Sequence, residues 1–368
     1  MICGKTMAKD ETLSFIEKLK KELADESISV SKLSDPVNNI EIEPTGILAL
    51  DTICGGGFPR GRWVEIFGKE AGGKSLLASL ICANAQRNGE FVAWIDMERT
   101  ADNRWFSRLG IDTDKMILVK PQSAEGAFKA LGTMIDSGRF SYIVIDSVAS
   151  MATENEQEDE PGKANMAVMA RLLSTQMRIL TGKLDNSKTT VILINQLRSA
   201  MAVNKYAQQE TTTGGKAIPF YATLRLGVHK LKDPASYIKD ENDNYLAHTV
   251  HMKCFKNKLG SPDKVGDFMI IYDGGPDNRM ALIALAKEKK YIVQKASMYY
   301  MDFNGQQIAA KGEKQLISRL QDNKEAQKFL FEALNIPQCY HNMFDADKRE
   351  VIEPTGLAAI AEMPEEDQ

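Results

Sequence analysis

One stretch of the chain, residues 63–81, constrains the fold more than any other. It opens with the strand-like run Trp63–Phe67, passes through a glycine-rich turn and ends in the helix-forming run Leu76–Ile81. The turn has the spacing G-x-x-x-x-G-K-S, in the residues Gly68, Lys69, Glu70, Ala71, Gly72, Gly73, Lys74 and Ser75. Glycines let backbone N–H groups approach phosphate oxygens, and a helix N-terminus adds unpaired donors. The stretch therefore predicts a phosphate-binding loop; a structural glycine turn is the alternative, which the flanking strand and helix disfavour.

In such a loop two side chains have defined tasks. Lys74 is predicted to reach the β- and γ-phosphates of ATP, and the Ser75 hydroxyl is predicted to bind Mg²⁺. Asp146 follows the apolar run Tyr142–Ile145, so it is expected at the carboxyl edge of the sheet beside the loop. There its carboxylate would share the Mg²⁺ shell with Ser75. Without the loop, a carboxylate at the end of a strand would more often be a cap or turn residue.

Two further strand ends carry polar groups. Asp96 and Glu98 follow the run Phe91–Ile95, and either carboxylate could orient the water that attacks the γ-phosphate. Their spacing alone does not separate them. Asn195 and Gln196 follow another apolar run, where a neutral amide could sense the γ-phosphate and pass its state to the next segment.

Alternating strand and helix patterns from about Pro44 to Tyr272 predict an α/β fold with a mostly parallel sheet and helices on both sides. Ser123 is the expected N-cap of a helix at Ala124–Asp136. Strands buried on both faces are predicted at 63–67, 91–95, 116–119, 142–145 and 191–194. Three later runs without long helices between them are predicted as antiparallel extensions of the same sheet, at 223–228, 249–255 and 268–272.

The ends of the chain differ from this middle part. Leu13, Ile16, Leu19 and Leu23 recur at helical spacing within residues 10–24, which predicts an amphipathic helix that covers either its own chain or a neighbouring subunit. After residue 278 the pattern predicts a small α+β module, with a helix at 281–287, strand material at 299–301 and helices within 313–334. The last 30 or so residues lack strong periodicity and are predicted to be disordered.

Composition excludes several classes of protein. The chain has 46 basic and 50 acidic residues, so any binding of nucleic acid must come from local basic surfaces. Its five cysteines contain no C-x-x-C pair and its four histidines are far apart, which favours a reduced, cytoplasmic protein without a zinc site. The N-terminus has no apolar signal region and no run of about 18 apolar residues occurs, so we expect neither a secreted nor a membrane protein.

Two irregular stretches are expected to be functional loops. Residues 197–220 are rich in small, polar and glycine residues, and residues 153–165 precede a helix that carries Arg171 and Arg178. These arginines are two turns apart, so they share one helix face, which suits phosphate contacts along a strand of nucleic acid. A solvated face with local salt bridges is the alternative. The acidic run 154–160 argues against simple electrostatic binding at that point.

Taken in order, these motifs resemble the bacterial RecA family of DNA recombinases, over about residues 43–334. The most specific stretches of the resemblance are 61–68, 145–149, 194–198, 210–215, 220–222 and 256–258. It implies a RecA-type P-loop ATPase core with a mostly parallel central sheet, a polymerisation helix before it and a small C-terminal α+β domain. The implied boundaries are 1–40 for the helix and linker, 41–278 for the core, 279–334 for the small domain and 335–368 for the tail.

The resemblance also implies residue roles. It selects Glu98 over Asp96 as the water-activating carboxylate, beside Lys74 and the γ-phosphate sensor Gln196. Lys256 and Lys258 match residues that reach the ATP of a neighbouring subunit. Asp102 and Tyr272 match residues that flank the adenine. Leu13, Ile16 and Phe220 match residues of the subunit interface.

Two DNA-binding loops are implied, at about 153–166 and 197–215. The matching positions for single-stranded DNA are Met166, Arg171, Arg178, Arg198, Met201, Tyr206, Thr211, Thr212, Thr213, Gly214 and Gly215. Lys295 and Lys311 match contacts to incoming duplex. The chain departs from the family at Asp159 and Pro161 of the first loop, in a second loop one residue longer, in a reduced acidic tail, and at 338–360, which matches no family segment.

The implied function is ATP-dependent recombination. Protomers polymerise on single-stranded DNA with ATP and Mg²⁺ at each interface, pair it with homologous double-stranded DNA and exchange strands, with DNA-stimulated ATP hydrolysis. Single-strand-binding and loader proteins are further implied partners, in the cytoplasm of a bacterial cell or of an infected host cell. The alternatives are a ring-forming helicase or translocase, against which Lys256 and Lys258 stand in place of an arginine finger, and a regulator that binds ATP without hydrolysis, against which Lys74, Glu98 and Asp146 stand.

Overall fold

The computed structural model describes residues 3–23, 28–154, 156, 166–199, 210–231, 233–272 and 274–345. The chain divides into two compact units, residues 1–41 and 42–368. The first unit contains α1 (Cys3–Glu22) and a 3₁₀ turn at Pro36–Asn38. Helix α1 begins earlier than its apolar spacing predicts, and it exposes Leu13, Phe15 and Leu23 by 42%, 59% and 41%.

Helices and strands alternate through the second unit as the sequence predicts. Its helices are α2 (Leu48–Cys54), α3 (Lys74–Arg87), α4 (Asn103–Arg108), α5 (Ala124–Asp136), α6 (Met166–Ser187), α7 (Ala217–Tyr221), α8 (Asn278–Glu288), α9 (Gly312–Gln321) and α10 (Lys324–Ala333). Its first strands are β1 (Ile42–Glu43), β2 (Phe58–Pro59), β3 (Trp63–Gly68), β4 (Phe91–Asp96), β5 (Ile117–Val119), β6 (Phe140–Asp146), β7 (Thr190–Ser199) and β8 (Glu210–Thr212). Its later strands are β9 (Leu224–Lys230), β10 (Tyr237–Lys239), β11 (Tyr245–Asn257), β12 (Val265–Ile271), β13 (Gly275–Asp277), β14 (Ile292–Lys295), β15 (Met298–Phe303) and β16 (Gln306–Lys311).

The central sheet has the order β13-β12-β11-β9-β3-β7-β6-β4-β5, with β10 beside β11 and β8 beside β7. The strands from β5 to β9 in this order are parallel, and β11, β12 and β13 extend the sheet in antiparallel fashion. The prediction that residues 223–228 form an antiparallel strand is therefore wrong, because β9 runs parallel to β3. The segment between β7 and β9 returns the chain to the starting edge of the sheet, which sets this direction.

Both faces of the parallel strands are buried. In β3, Val64 and Ile66 join one hydrophobic cluster with α3, whereas Trp63 joins a second cluster with α5 and α6. This alternation follows from the two-residue period of a strand. The predicted cap of α5 is confirmed, since the Ser123 hydroxyl accepts the Gly126 N–H at 3.0 Å. Among the described residues, none of the helices has the length and apolar character needed to span a bilayer.

The predicted α+β module is present as α8, the antiparallel sheet β14-β15-β16, and the pair α9 and α10. Leu316 and Leu330 of this module belong to the same hydrophobic cluster as Val64 and Ile66 of the central strand. The division of residues 42–368 at position 278 stays a prediction.

The segment after α10 corrects the prediction for the end of the chain. Disorder is predicted from about residue 339, yet Tyr340 and Phe344 are buried, with 2% and 3% exposure. The His341 ring stacks on Phe331, with ring centroids 4.4 Å apart. Two apolar anchors in a short polar stretch give no helical or strand period, so the sequence pattern missed this packing. Residues 346–368 lie outside the described part of the chain.

Candidate nucleotide site and DNA interface

The glycine-rich turn forms between β3 and α3, where it was predicted. Gly73 has φ +94° at the start of α3, in the left-handed region that glycine adopts without strain. A Cβ on Gly68 would lie 2.1 Å from the carbonyl oxygen of Val228, so the backbone at this point tolerates only glycine. The tip of the turn, Lys69 to Ala71, is exposed. The turn thus offers backbone N–H groups and a helix N-terminus to a phosphate.

Three charged groups meet at the base of this turn. Lys74 is 7% exposed and donates from Nζ to the Lys69 carbonyl at 2.7 Å. Burial lowers the pKa of Lys74, while Asp146, Glu98 and Glu70 oppose that effect. Burial raises the pKa of Asp146 to about 7, although a hydrogen bond from Ser75 favours its ionised form. An ammonium group beside carboxylates in a desolvated turn is primed for the negative charge of a triphosphate.

The structure separates the two carboxylates that the sequence could not. Asp96 is fully buried and accepts the backbone N–H groups of Thr100 and Ala101 at 3.3 and 3.1 Å, so it holds a turn together. Glu98 instead points to the edge of the sheet, where its Oε1 accepts from the Gln196 amide at 3.4 Å. The Ser147 hydroxyl also donates to this oxygen. The predicted water-activating carboxylate and the predicted sensor are therefore neighbours.

A buried polar network lies beneath the sensor. The Asn195 amide donates to Glu65 Oε1 at 3.0 Å and to the Thr213 carbonyl at 2.9 Å. Arg225 forms a salt bridge with Glu65, which is fully buried in the middle of β3. Asn195 and Gln196 thus face different partners, and Asn195 ties the second predicted loop to the central strand.

One buried oxygen at this edge has no partner. Asp146 Oδ1 is inaccessible to solvent and accepts no hydrogen bond among the described residues. Buried polar atoms in proteins are nearly always paired, so an orphaned carboxylate oxygen beside a phosphate turn fits a divalent cation. Ser75 and Asp146 supply only two protein ligands, which suits Mg²⁺, an ion that keeps waters and phosphate oxygens in its shell. No group of three or more His, Cys, Asp or Glu side chains arranged for a metal occurs in the described ranges.

Comparison with known proteins places this geometry in a family. Residues 10–277 match the family model of the RecA N-terminal domain. Protein RecA of a Nocardioides species is 40% identical over 84% of this chain and 87% of the relative. Protein RecA of Mycobacteroides abscessus is 37% identical over 84% of each chain. The chain belongs to the RecA family. Among solved structures, the RadB recombinase shows 19% identity and a TM-score of 0.45, over 61% of this chain and 94% of that chain.

The second RecA loop is partly ordered rather than irregular throughout. Arg198 on β7 pairs with Thr211 on β8, which makes a short hairpin, and α7 follows it. The Thr212 side chain is 7% exposed and accepts from Arg225 at 3.5 Å. Gly214 has φ +95°, and a Cβ there would lie 2.7 Å from Leu173 of α6, so the turn after β8 packs closely on that helix. Gly215 is exposed.

Helix α6 places the two predicted arginines as their spacing requires. Arg171 and Arg178 are both exposed, while Leu173 and Met177 are buried in the hydrophobic cluster below the sheet. Met166 begins this helix, and its side chain lies outside the described residues, as do Met201 and Tyr206. Most of the first predicted loop, 153–166, also lies outside them.

At another surface of the RecA core, the predicted interface residues come together. Lys256 Nζ donates to the carbonyl oxygens of Pro219 and Phe220 at 2.6 and 3.1 Å. Lys258 Nζ donates to the Phe220 carbonyl at 3.1 Å. The Phe220 ring is 69% exposed. Burial, together with the nearby charges of Lys258 and Arg225, lowers the pKa of Lys256 to about 8.

The remaining predicted residues occupy defined positions. Asp102 caps α4 by accepting the Trp105 N–H at 2.9 Å, and Tyr272 follows β12. Lys295 and Lys311 both lie opposite Met298 across the three-stranded sheet, so they share one exposed face. Leu13 and Ile16 lie on α1.

Sequence reasoning missed several residues at the nucleotide edge. Ser147 and Ser150 both donate to Glu98, and Glu65 with Arg225 forms the ion pair beneath Asn195. A charged residue in the middle of an apolar strand, as Glu65 is in β3, was the available signal. Ser147 and Ser150 offered none, because hydroxyl groups next to a strand end are common in turns.

Proposed function

We propose that this RecA-family chain is an ATP-dependent DNA recombinase that polymerises on single-stranded DNA and catalyses pairing and strand exchange with a homologous duplex. The contact that carries the proposal is the pair Gln196–Glu98 on a strand end whose preceding residue, Asn195, holds the Thr213 carbonyl. A group that touches the attacking water is thereby joined to the segment proposed to bind DNA. Nucleotide state and DNA binding then depend on one element.

Hydrolysis would use the groups at the carboxyl edge of the sheet. Glu98 accepts the proton of the attacking water, and the hydroxyls of Ser147 and Ser150 hold its Oε1 in place. Lys74 moves from the Lys69 carbonyl to the β- and γ-phosphate oxygens. Ser75 and Asp146 would hold Mg²⁺, which neutralises charge that develops on the phosphates.

Gln196 is the proposed sensor of the γ-phosphate. Its amide reaches Glu98 at 3.4 Å, a long hydrogen bond that a phosphate oxygen can replace. If Gln196 turns toward the γ-phosphate, the adjacent Asn195 and its bond to Thr213 respond, which repositions residues 211–215. Release of phosphate would reverse this change and let the DNA go.

The subunit interface is the second half of the switch. Lys256 and Lys258 sit on the backbone carbonyls of α7 beside the exposed Phe220 ring. In a polymer these ammonium groups would reach the ATP of the neighbouring protomer, so bound ATP stabilises the contact between protomers. Arg171, Arg178 and Arg198 would contact DNA phosphates, and Lys295 with Lys311 would contact the incoming duplex. Such a protein acts where chromosomal DNA is, in the bacterial cytoplasm.

The test is ATP hydrolysis with and without single-stranded DNA. We expect DNA to stimulate turnover, and Glu98→Gln to lower it by about 100-fold or more, because a general base contributes 10²–10⁴-fold. The variant should still bind DNA with ATP, since the phosphate turn is intact. Asp96→Asn is the matched control, the same chemical change at a carboxylate that only holds a turn. Absence of DNA stimulation, or equal losses in both variants, would refute the proposal.

A further inference from the structure

His248 is a buried polar side chain that the proposed mechanism does not use. The residue is 5% exposed, and its Nδ1 has no hydrogen-bond partner within the described part of the chain. An unpaired buried polar atom costs about 1–3 kcal/mol, so a native structure rarely keeps one without a reason. Burial and the nearby Lys230 lower the pKa of His248 to about 4, so the ring is neutral at pH 7.

The position of His248 points to the nucleotide. It lies on β11 two residues before Val250, so both side chains lie on the same face of the sheet. A Cβ on Gly73 would lie 3.6 Å from Val250 Cγ2, which places Val250 beside the start of α3 and the phosphate turn. Two residues along a strand span roughly 7 Å. His248 is therefore the next inward side chain beyond the phosphates along this strand.

Aromatic rings hold His248 on both sides. The Tyr272 ring centroid is 5.3 Å away, and the Tyr237 ring stacks on the other side at 6.5 Å with an angle of 26°. Tyr237 in turn packs against Tyr245, 5.2 Å away, across the hairpin of β10 and β11. The imidazole is thus fixed in a row of rings that begins at Tyr272, the residue proposed to flank the adenine.

We propose that His248 is a nucleotide-contacting residue that hydrogen-bonds through Nδ1 to the nucleoside part of ATP and so contributes to the choice of nucleotide. This inference rests on the proposed function, because it takes ATP as the ligand of the turn. A neutral imidazole fits the polar edge of a base or sugar, which carries donors and acceptors but no charge. The flanking tyrosines remove the rotational freedom of the ring, so the contact costs little entropy on binding.

Calorimetric titration of nucleotide-free protein with two ligands tests the proposal. MgATP contains the nucleoside, whereas magnesium tripolyphosphate contacts only the phosphate turn. In His248→Ala we expect the affinity for MgATP to fall about 3- to 10-fold, the size of one hydrogen bond, with no change for tripolyphosphate. In His248→Asn we expect most of the affinity to return, because an amide retains polar atoms near the place of Nδ1.

The two variants keep the test decisive if one of them folds poorly. Equal loss of affinity for both ligands, or no loss for either, in a variant whose thermal unfolding matches the wild type overturns the proposal. Loss for MgATP alone in His248→Ala, with recovery in His248→Asn, supports it. If the wild type shows no DNA-stimulated hydrolysis but still prefers MgATP through His248, the recombinase assignment fails and the nucleoside contact stands.

Discussion

Two buried aspartates in the same fold meet burial in different ways. Burial raises the pKa of Asp51 in α2 and of Asp146 at the end of β6 to about 7 in each case. Asp51 accepts from the Thr45 hydroxyl at 2.6 Å, from the Thr45 N–H and from the Tyr340 hydroxyl. Asp146 leaves Oδ1 without a partner in the described structure. One carboxylate is closed by its own chain, and the other is open.

This difference distinguishes a structural carboxylate from a ligand-binding one. Both groups have a perturbed pKa, so the pKa alone would mark both as functional candidates. The hydrogen-bond partners separate them, because a complete set of donors leaves no capacity for a ligand. Glu65 belongs with Asp51, since Asn195 and Arg225 occupy its two oxygens. Predictions for these three sites should therefore differ in kind.

The largest expected effect is at the closed ion pair Glu65–Arg225. Arg225→Met keeps much of the apolar stem but leaves the fully buried Glu65 carboxylate without its cation. Breaking a buried ion pair in this way costs about 3–5 kcal/mol. We expect urea denaturation to show a fall of that size in the free energy of unfolding.

The control for this variant is Lys183→Met, which removes an exposed salt bridge to Asp136. Exposed pairs contribute at most about 1 kcal/mol, so this variant should unfold at nearly the wild-type urea concentration. If Arg225→Met is no more harmful than Lys183→Met, Glu65 is not a closed site, and its comparison with Asp51 fails.

At the open site the larger effect should be on activity. Asp146→Asn is expected to lower ATP hydrolysis by about 100-fold, which corresponds to about 2.7 kcal/mol in the barrier. The nucleotide-free variant should be no less stable than the wild type. The folded-state pKa of about 7 lies above the usual 3.8, so ionisation of Asp146 destabilises the fold as pH rises through that window. The stability gain from Asn is therefore expected at pH 8 and should vanish near pH 4.

Asp51→Asn is the matched change at the closed site, and it should have the opposite profile. Hydrolysis should stay within a few-fold of wild type, while stability falls, because an amide cannot accept all three donors. Steady-state hydrolysis and urea denaturation of both variants give the comparison. Loss of activity in both, or of stability in both, would mean that hydrogen-bond closure does not separate the two roles.

The sequence predicted the open site better than the closed ones, for a physical reason. The phosphate turn, Asp146, Glu98 and Gln196 lie at ends of neighbouring parallel strands, so strand order and local spacing place them together. The choice between Asp96 and Glu98 needed tertiary contacts, which no spacing contains. Closed sites join residues far apart in the chain, as Tyr340 joins Asp51 across 289 positions.

The same reason explains the direction of β9 and the packing of residues 339–345. A strand has the same apolar period whether it runs parallel or antiparallel, so only its connection decides its direction. The connection from β7 crosses residues 200–222, whose small and glycine residues predicted a loop but not its course. Tyr340 and Phe344 are single anchors without a period. Local pattern therefore predicted elements, and contacts between distant residues decided their arrangement.

The smallest expected effect tests the donor that closes Asp51. Tyr340→Phe removes the hydroxyl that donates to this buried carboxylate and keeps the packed ring, so we expect a loss of about 1–2 kcal/mol in the free energy of unfolding. That bond favours the ionised form, so its loss raises the pKa of Asp51 further above about 7. The difference between variant and wild type should therefore grow from pH 5 to pH 8, which urea denaturation at the two pH values measures. Hydrolysis should be unchanged, because this closed site offers no oxygen to a ligand. A loss that is equal at both pH values would show that the hydroxyl stabilises packing rather than the charge on Asp51.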